Sequence, residues 1–176
     1  MKKYLKAFVM TFSMFLTIPC PFKIWDEEAR PYMNIFLPFV GGVIGGLNYL
    51  FAFLINKLNI PYLTSLVILI VPLLLTGFMH LDGFMDTIDA VGSYKPKEER
   101  IKILKDSHAG SFAIISVVLL ILSQYIFGLF IDNYYILIFI PVVSRLLSCI
   151  YLLILPKIST SEYNYDKKHK TFELIY

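Results

Sequence analysis

Five apolar runs decide what this chain can become. Four of them, at roughly 32–55, 60–79, 111–131 and 134–156, are each long enough to cross about 30 Å of hydrocarbon as a helix. A soluble domain of 176 residues has no interior large enough to hide them all. Composition agrees: 57% of residues are hydrophobic and 16% are charged, against about a quarter charged in a soluble domain. Mean hydropathy is +0.69. The expected fold is therefore all-α, a polytopic integral membrane helical bundle in a lipid bilayer. No Gly/Ser-rich or Pro-rich linker divides residues 1–176, so a single membrane domain is expected.

The fifth run, 7–22, is shorter and ends in Ile18-Pro19-Cys20-Pro21, which breaks a helix. With Lys2 and Lys3 before it, the segment imitates a signal peptide, but Pro19 stands where a cleavage site wants a small residue. It is read as retained. Charge then sets its topology. If this segment does not cross, every Lys and Arg except Lys57 and Arg145 falls on one side of the membrane. If it does cross, the basic N-terminus and the basic loop 91–110 fall on opposite sides. The positive-inside rule favours the first arrangement. About four spanning helices are expected, with a non-spanning N-terminal segment that lies in the interface or re-enters, and with both termini cytoplasmic. Cys20 and Cys149 show no metal or disulfide spacing and read as small buried residues.

In the second run, Gly41/Gly45 and Gly42/Gly46 form two overlapping GxxxG patterns. Such spacing lets a second helix backbone approach closely; passage of a ligand or phosphate is the alternative. Residues 96–105 read as a short surface helix with Pro96 in its first turn, either a solvated connector or a lid.

The sharpest feature is HLDGFMDTIDAVGS, residues 80–93. If the third helix continues to residue 90, Asp82, Asp86 and Asp89 fall within about 60° of arc and about 10 Å of axis. Three carboxylates on one stripe repel, and near lipid they are costly. The C-terminal end of a helix dipole disfavours them further. A compensating cation explains them, and oxygen-only ligands suit Mg²⁺ or Mn²⁺ better than Zn²⁺. The plainer reading is the wet end of a helix stopped at Gly92. Gly83 lies inside the stripe, where a phosphate or a packed helix needs room; His80 faces elsewhere, for packing or for substrate contact.

Further on, Lys105-Asp106-Ser107-His108-Ala109-Gly110 precedes the fourth long run. Asp106 or Ser107 fits as its N-cap. Asp106 also fits as a fourth metal ligand, with Lys105 and Arg100 meeting phosphate charge. Arg145 sits midway along the last run and needs a partner, either an aspartate or an anionic substrate.

Together these residues resemble the integral membrane cobalamin synthases, or adenosylcobinamide-GDP ribazoletransferases. The family signature T-G-x-x-H-x-D-G-x-x-D-x-x-D-A is matched from Thr76 to Ala90, and a K/R-D-S-x-x-G-x-F run from Lys105 to Phe112. Weaker matches are Phe15 to Pro19, Pro38 to Gly45, and the pair Ser144-Arg145. The resemblance covers roughly residues 5–155. It implies transfer of adenosylcobinamide phosphate from adenosylcobinamide-GDP to α-ribazole or its 5′-phosphate, with release of GMP, in the cytoplasmic membrane of a prokaryote. It implies Mg²⁺, with Asp82, Asp86, Asp89 and Asp106 as metal and catalytic residues. Candidate substrate-binding residues are His80, Gly83, Arg100, Lys105, Ser107 and Arg145. A homo-oligomer is compatible with this reading, and no nucleic-acid partner is expected. The tail SEYNYDKKHKTFELIY is unlike the family, whose members continue with further apolar helices. This departure implies truncation, or helices supplied by another chain, or an inactive remnant. Two other classes also place acids in membrane helices. A CDP-alcohol phosphotransferase carries Ala-Arg in its D-G-x-x-A-R core, absent after Asp82-Gly83 here; a cation transporter lines its path with carboxylates.

Overall fold

The computed structural model describes residues 2–22, 24–106 and 108–154. Among them it shows seven α-helices and no strand: α1 Lys2–Phe15, α2 Met33–Asn56, α3 Pro61–Leu75, α4 Met79–Gly92, α5 Lys97–Ile103, α6 Ser111–Gly128 and α7 Ile136–Ile154. A 3₁₀ turn, Arg30–Tyr32, leads into α2. This is the all-helical, apolar architecture of a membrane protein. Two helices, Arg30–Asn56 and Ser111–Gly128, are long and apolar enough to cross a membrane, and the bent pair α3–α4 raises the number to three. The α7 stretch Ile136–Leu152 is apolar but shorter.

The N-terminal segment goes in and comes back. Lys3 pairs with Glu28 at 2.8 Å and Lys6 with Asp26 at 2.6 Å, and the Tyr4 ring meets Tyr32. Both ends of the segment therefore sit where α2 begins. Between them, α1 runs alongside α2 until Leu16 packs on Val40 and Ile44. The described residues after Leu16 return toward the start of α2, so the segment doubles back beside α2 and does not pass its far end.

The third helix differs from expectation. It does not continue to residue 90; it ends at Leu75, and the chain restarts at Met79 with a bend of 88°. The cause is local. Gly77 adopts φ +58°, the left-handed conformation that glycine takes without steric penalty. The Phe78 N–H bonds Leu73 O at 3.0 Å and the Gly77 N–H bonds Leu74 O at 3.2 Å, the paired bonds of a Schellman stop. Phe78 is left-handed as well, at φ +61°, a conformation rare for a bulky residue and costly enough to need support from its surroundings.

Helices α2 and α7 meet backbone to backbone. A Cβ on Gly41 would stand 2.6 Å from Pro141 O, and one on Gly45 2.6 Å from Ile138 O. Gly42 lies at the edge of that contact, 4.0 Å from Val142 Cγ2, and Gly46 meets nothing within 4 Å. Of the two glycine patterns, 41/45 is thus helix packing. Prolines inside helices leave a carbonyl four residues earlier without its usual donor, and neighbouring helices supply replacements. Pro38 orphans Asn34 O, which accepts from Cys149 Sγ at 3.3 Å. Pro72 orphans Ile68 O, which accepts from Asn48 Nδ2 at 3.2 Å. Cys149 is therefore more than an apolar filler: it bonds across the α2–α7 contact. On the other flank, Ser65 of α3 donates to Tyr125 O of α6 beside Gly128.

Candidate functional site

Sequence-distant pieces meet the α3–α4 elbow and the length of α4. The first is Thr17, from the returning N-terminal segment. Its N–H bonds Leu75 O at 2.9 Å, and its hydroxyl donates to Leu74 O at 2.8 Å. These are terminal carbonyls of α3, which have no partner inside their own helix. Leu75 also packs against Leu16, Val40 and Ile44. The elbow thus lies about 12 Å along α2 from its start, level with residues 40–44.

From the elbow, α4 carries all three aspartates on one continuous helix. The expected stripe therefore forms, although on a helix turned away from α3. Asp82 is exposed, and Asp86 and Asp89 are half-buried. Asp86 lies within electrostatic reach of both other carboxylates. Neither Asp82 nor Asp86 accepts a hydrogen bond or pairs with a cation among the described residues. Nothing stands within 4 Å of where a Gly83 Cβ would be, so the stripe has open space beside it.

Asp89 is different. Its carboxylate accepts the Gly110 N–H and, at 2.8 Å, the Ala113 N–H. It caps α6 from another helix, satisfying two donors that would otherwise have none. Gly110 is required there: its Cβ would lie 2.7 Å from Asp89 Oδ1. The local expectation that Asp106 caps α6 is corrected. Gly110 holds the N-cap position without a side-chain bond. Asp106 turns back on its own loop, accepting the His108 N–H at 3.1 Å and pairing with His108 Nδ1 at 2.7 Å. Those bonds to His108 hold the Asp106 carboxyl below the usual carboxylate range.

Helix α5 packs against α4, which carries Arg100 beside that helix, while Lys105 follows in the exposed loop. Ser107 lies outside the described residues. Arg145, on α7, keeps only 8% of its surface exposed and lies within electrostatic reach of His80 at the start of α4. No aspartate pairs with it, so the ion-pair alternative for Arg145 has no partner among the described residues.

The four carboxylates do not close into one shell: among the described residues, no three His, Cys, Asp or Glu side chains stand together in a group able to hold a metal. The donor chemistry nevertheless fits Mg²⁺, which commonly takes one or two carboxylates and fills the rest with water and substrate phosphate. Asp82 and Asp86 are the two whose carboxylates are wholly unbonded among the described residues. Sequence reasoning missed the roles of Thr17 and Gly110. The pairing of Asp89 with Gly110 spans 21 residues, beyond any local pattern.

Known proteins share this arrangement of sequence. A family model described as cobalamin-5-phosphate synthase matches residues 7–173. An adenosylcobinamide-GDP ribazoletransferase of Clostridium perfringens (strain ATCC 13124) is 47% identical over 154 residues, covering 84% of this chain and 61% of the relative. The protein of that name from Clostridium botulinum (strain Eklund 17B) is 43% identical over 150 residues, 82% of this chain and 60% of the relative. The one from Clostridioides difficile (strain 630) is 31% identical over 145 residues, 81% and 56%. The chain thus spans about three fifths of the length of the first two relatives. No solved structure matches.

Proposed function

The chain belongs to the cobalamin-5-phosphate synthase family, and on that premise we propose that it carries the site of an adenosylcobinamide-GDP ribazoletransferase. The reaction is a phosphotransfer. A ribose hydroxyl of α-ribazole attacks the phosphate that bears the cobinamide arm; a new P–O ester forms, the diphosphate P–O bond breaks, and GMP leaves. The observation that carries this reading is the pair of unpartnered carboxylates, Asp82 and Asp86, beside the open space at Gly83.

In this reading Asp82 and Asp86 hold Mg²⁺, which when bound neutralises diphosphate charge and orients the reacting groups. Asp89 fixes α4 to the start of α6 and so sets where the stripe stands. Gly83 leaves room for the diphosphate. Lys105 and Arg100, in the loop and helix beside α4, meet its remaining charge. Asp106 keeps that loop in shape through Oδ1, bonded to His108, and leaves Oδ2 as a further ligand.

Helices α2, α6 and α7 cross the bilayer and α3 enters it from the far face, with the basic N-terminus and α5 at the cytoplasmic face. Helix α3, about 22 Å long, falls short of the hydrocarbon thickness. The elbow is thereby sunk below the surface, where the re-entrant Thr17 supports it. The charged substrate reaches a polar recess without crossing the membrane.

The test is GMP release by detergent-purified protein given adenosylcobinamide-GDP and α-ribazole. Release that needs both substrates and Mg²⁺ is expected. Release from a CDP-alcohol instead, or cation flux in proteoliposomes without phosphotransfer, would replace this assignment.

A further inference from the structure

Arg145 is the least explained charge among the described residues. It is the sole charged side chain of α7, it is more than nine-tenths buried, and it has no hydrogen-bond or ion-pair partner among the described residues. An arginine at membrane depth is normally paired or faces a water-filled cavity. Its depth is fixed by its neighbours. One turn further along α7, Cys149 bonds Asn34 O near the start of α2; one turn earlier, Pro141 and Val142 press on Gly41. Arg145 therefore sits between those levels, about one turn nearer the start of α2 than Val40 and Ile44, on which the elbow's Leu75 packs. The nearest ionisable groups acting with it are His80 and Cys149, and neither supplies a counter-charge.

We propose that Arg145 is an oxyanion subsite: its guanidinium, beside His80, receives a phosphate group between the start of α2 and the level of the elbow, separate from the carboxylate stripe of α4. The planar fork of arginine suits two phosphate oxygens at once. Burial without a partner keeps it ready and costs stability, because the charge has nothing to offset its desolvation. The subsite itself stands on Arg145 alone; its assignment to the substrate diphosphate rests on the transferase reading.

The experiment uses inorganic pyrophosphate as probe, with the full chain in detergent and EDTA present, so that the metal plays no part. Saturable binding is expected in the unaltered protein and in Asp82→Asn. Arg145→Met is expected to weaken it at least tenfold, and Arg145→Lys to weaken it less, while the melting temperature of Arg145→Met stays equal or rises. Unchanged binding in Arg145→Met overturns the proposal. So does a fall in its melting temperature or a failure to fold, since that marks a structural role. Displacement of pyrophosphate by short-chain phosphatidic acid would overturn the substrate assignment in favour of a lipid headgroup. Binding through Arg145 without any GMP release would leave the subsite standing and remove the transferase reading.

Discussion

Glycines in α2 and α4 do opposite work. In α2, Gly41 and Gly45 are filled from outside: the backbone of α7 occupies the space a side chain would take. In α4, Gly83 faces nothing within 4 Å, and carboxylates without partners flank it. The same residue type closes one region and opens the other. The α2–α7 contact is closed backbone to backbone; α4 packs on α6 and α5 and leaves its aspartate stripe open. Family-like motifs fall in both regions, so matching a motif does not by itself mark a residue as chemical.

The contrast can be broken most sharply at the open end. Asp82→Asn and Asp86→Asn are each expected to cut GMP release roughly 100-fold or more, as loss of a charge-stabilising group does, with no fall in melting temperature. A parallel collapse of thermal stability would mean that the stripe is structural. The closed end should respond the other way. Gly45→Ala forces a Cβ against the Ile138 carbonyl and is expected to cost about 3 kcal/mol, the upper range for overpacking. Gly46→Ala, which meets nothing, should gain up to about 1 kcal/mol of helix propensity. Equal effects in a denaturation series would erase the distinction between the two glycine faces.

Two smaller effects test how the regions are joined. Asp89→Asn removes the charged cap of α6 and is expected to cost about 1–2 kcal/mol, read as faster amide exchange in the first turn of α6. Asn48→Leu leaves Ile68 O without its donor and is expected to cost about 1 kcal/mol, read by thermal denaturation. Smallest is the Asp106–His108 pair, which is exposed. Its carboxyl titrates below the ordinary range because His108 bonds the ionised form. The stabilisation is therefore present above the unfolded pKa and lost as pH falls through the lower, folded value. In His108→Ala the Asp106 titration midpoint should rise toward the ordinary carboxylate value, followed by carboxyl NMR.

Much of this was legible in the sequence, for physical reasons. Hydropathy gave the apolar helices, and Pro19 and Pro21 marked where the N-terminal helix stops and the chain doubles back. The helical period gave the aspartate stripe. Hydropathy also misled: the run through Leu73-Leu74-Leu75-Thr76-Gly77-Phe78-Met79 is apolar throughout, yet a left-handed Gly77 stops the helix inside it. Glycine after a polar residue is a stop signal, but the continuous apolar pattern outweighed it. Partners distant in the chain were not legible. Nothing near Gly110 announces that Asp89 will cap α6, nor does anything near Pro72 announce that Asn48 will bond Ile68 O.

The central claim divides the stripe into two carboxylates that hold metal and one that holds structure. The direct measurement is the Mg²⁺ dependence of GMP release in the unaltered protein, Asp86→Asn and Asp89→Asn. The account predicts that Asp86→Asn loses release, or needs far more Mg²⁺ to restore it. Asp89→Asn should keep the Mg²⁺ concentration for half-maximal release while melting at lower temperature. An equal shift in the Mg²⁺ requirement for both variants would contradict it.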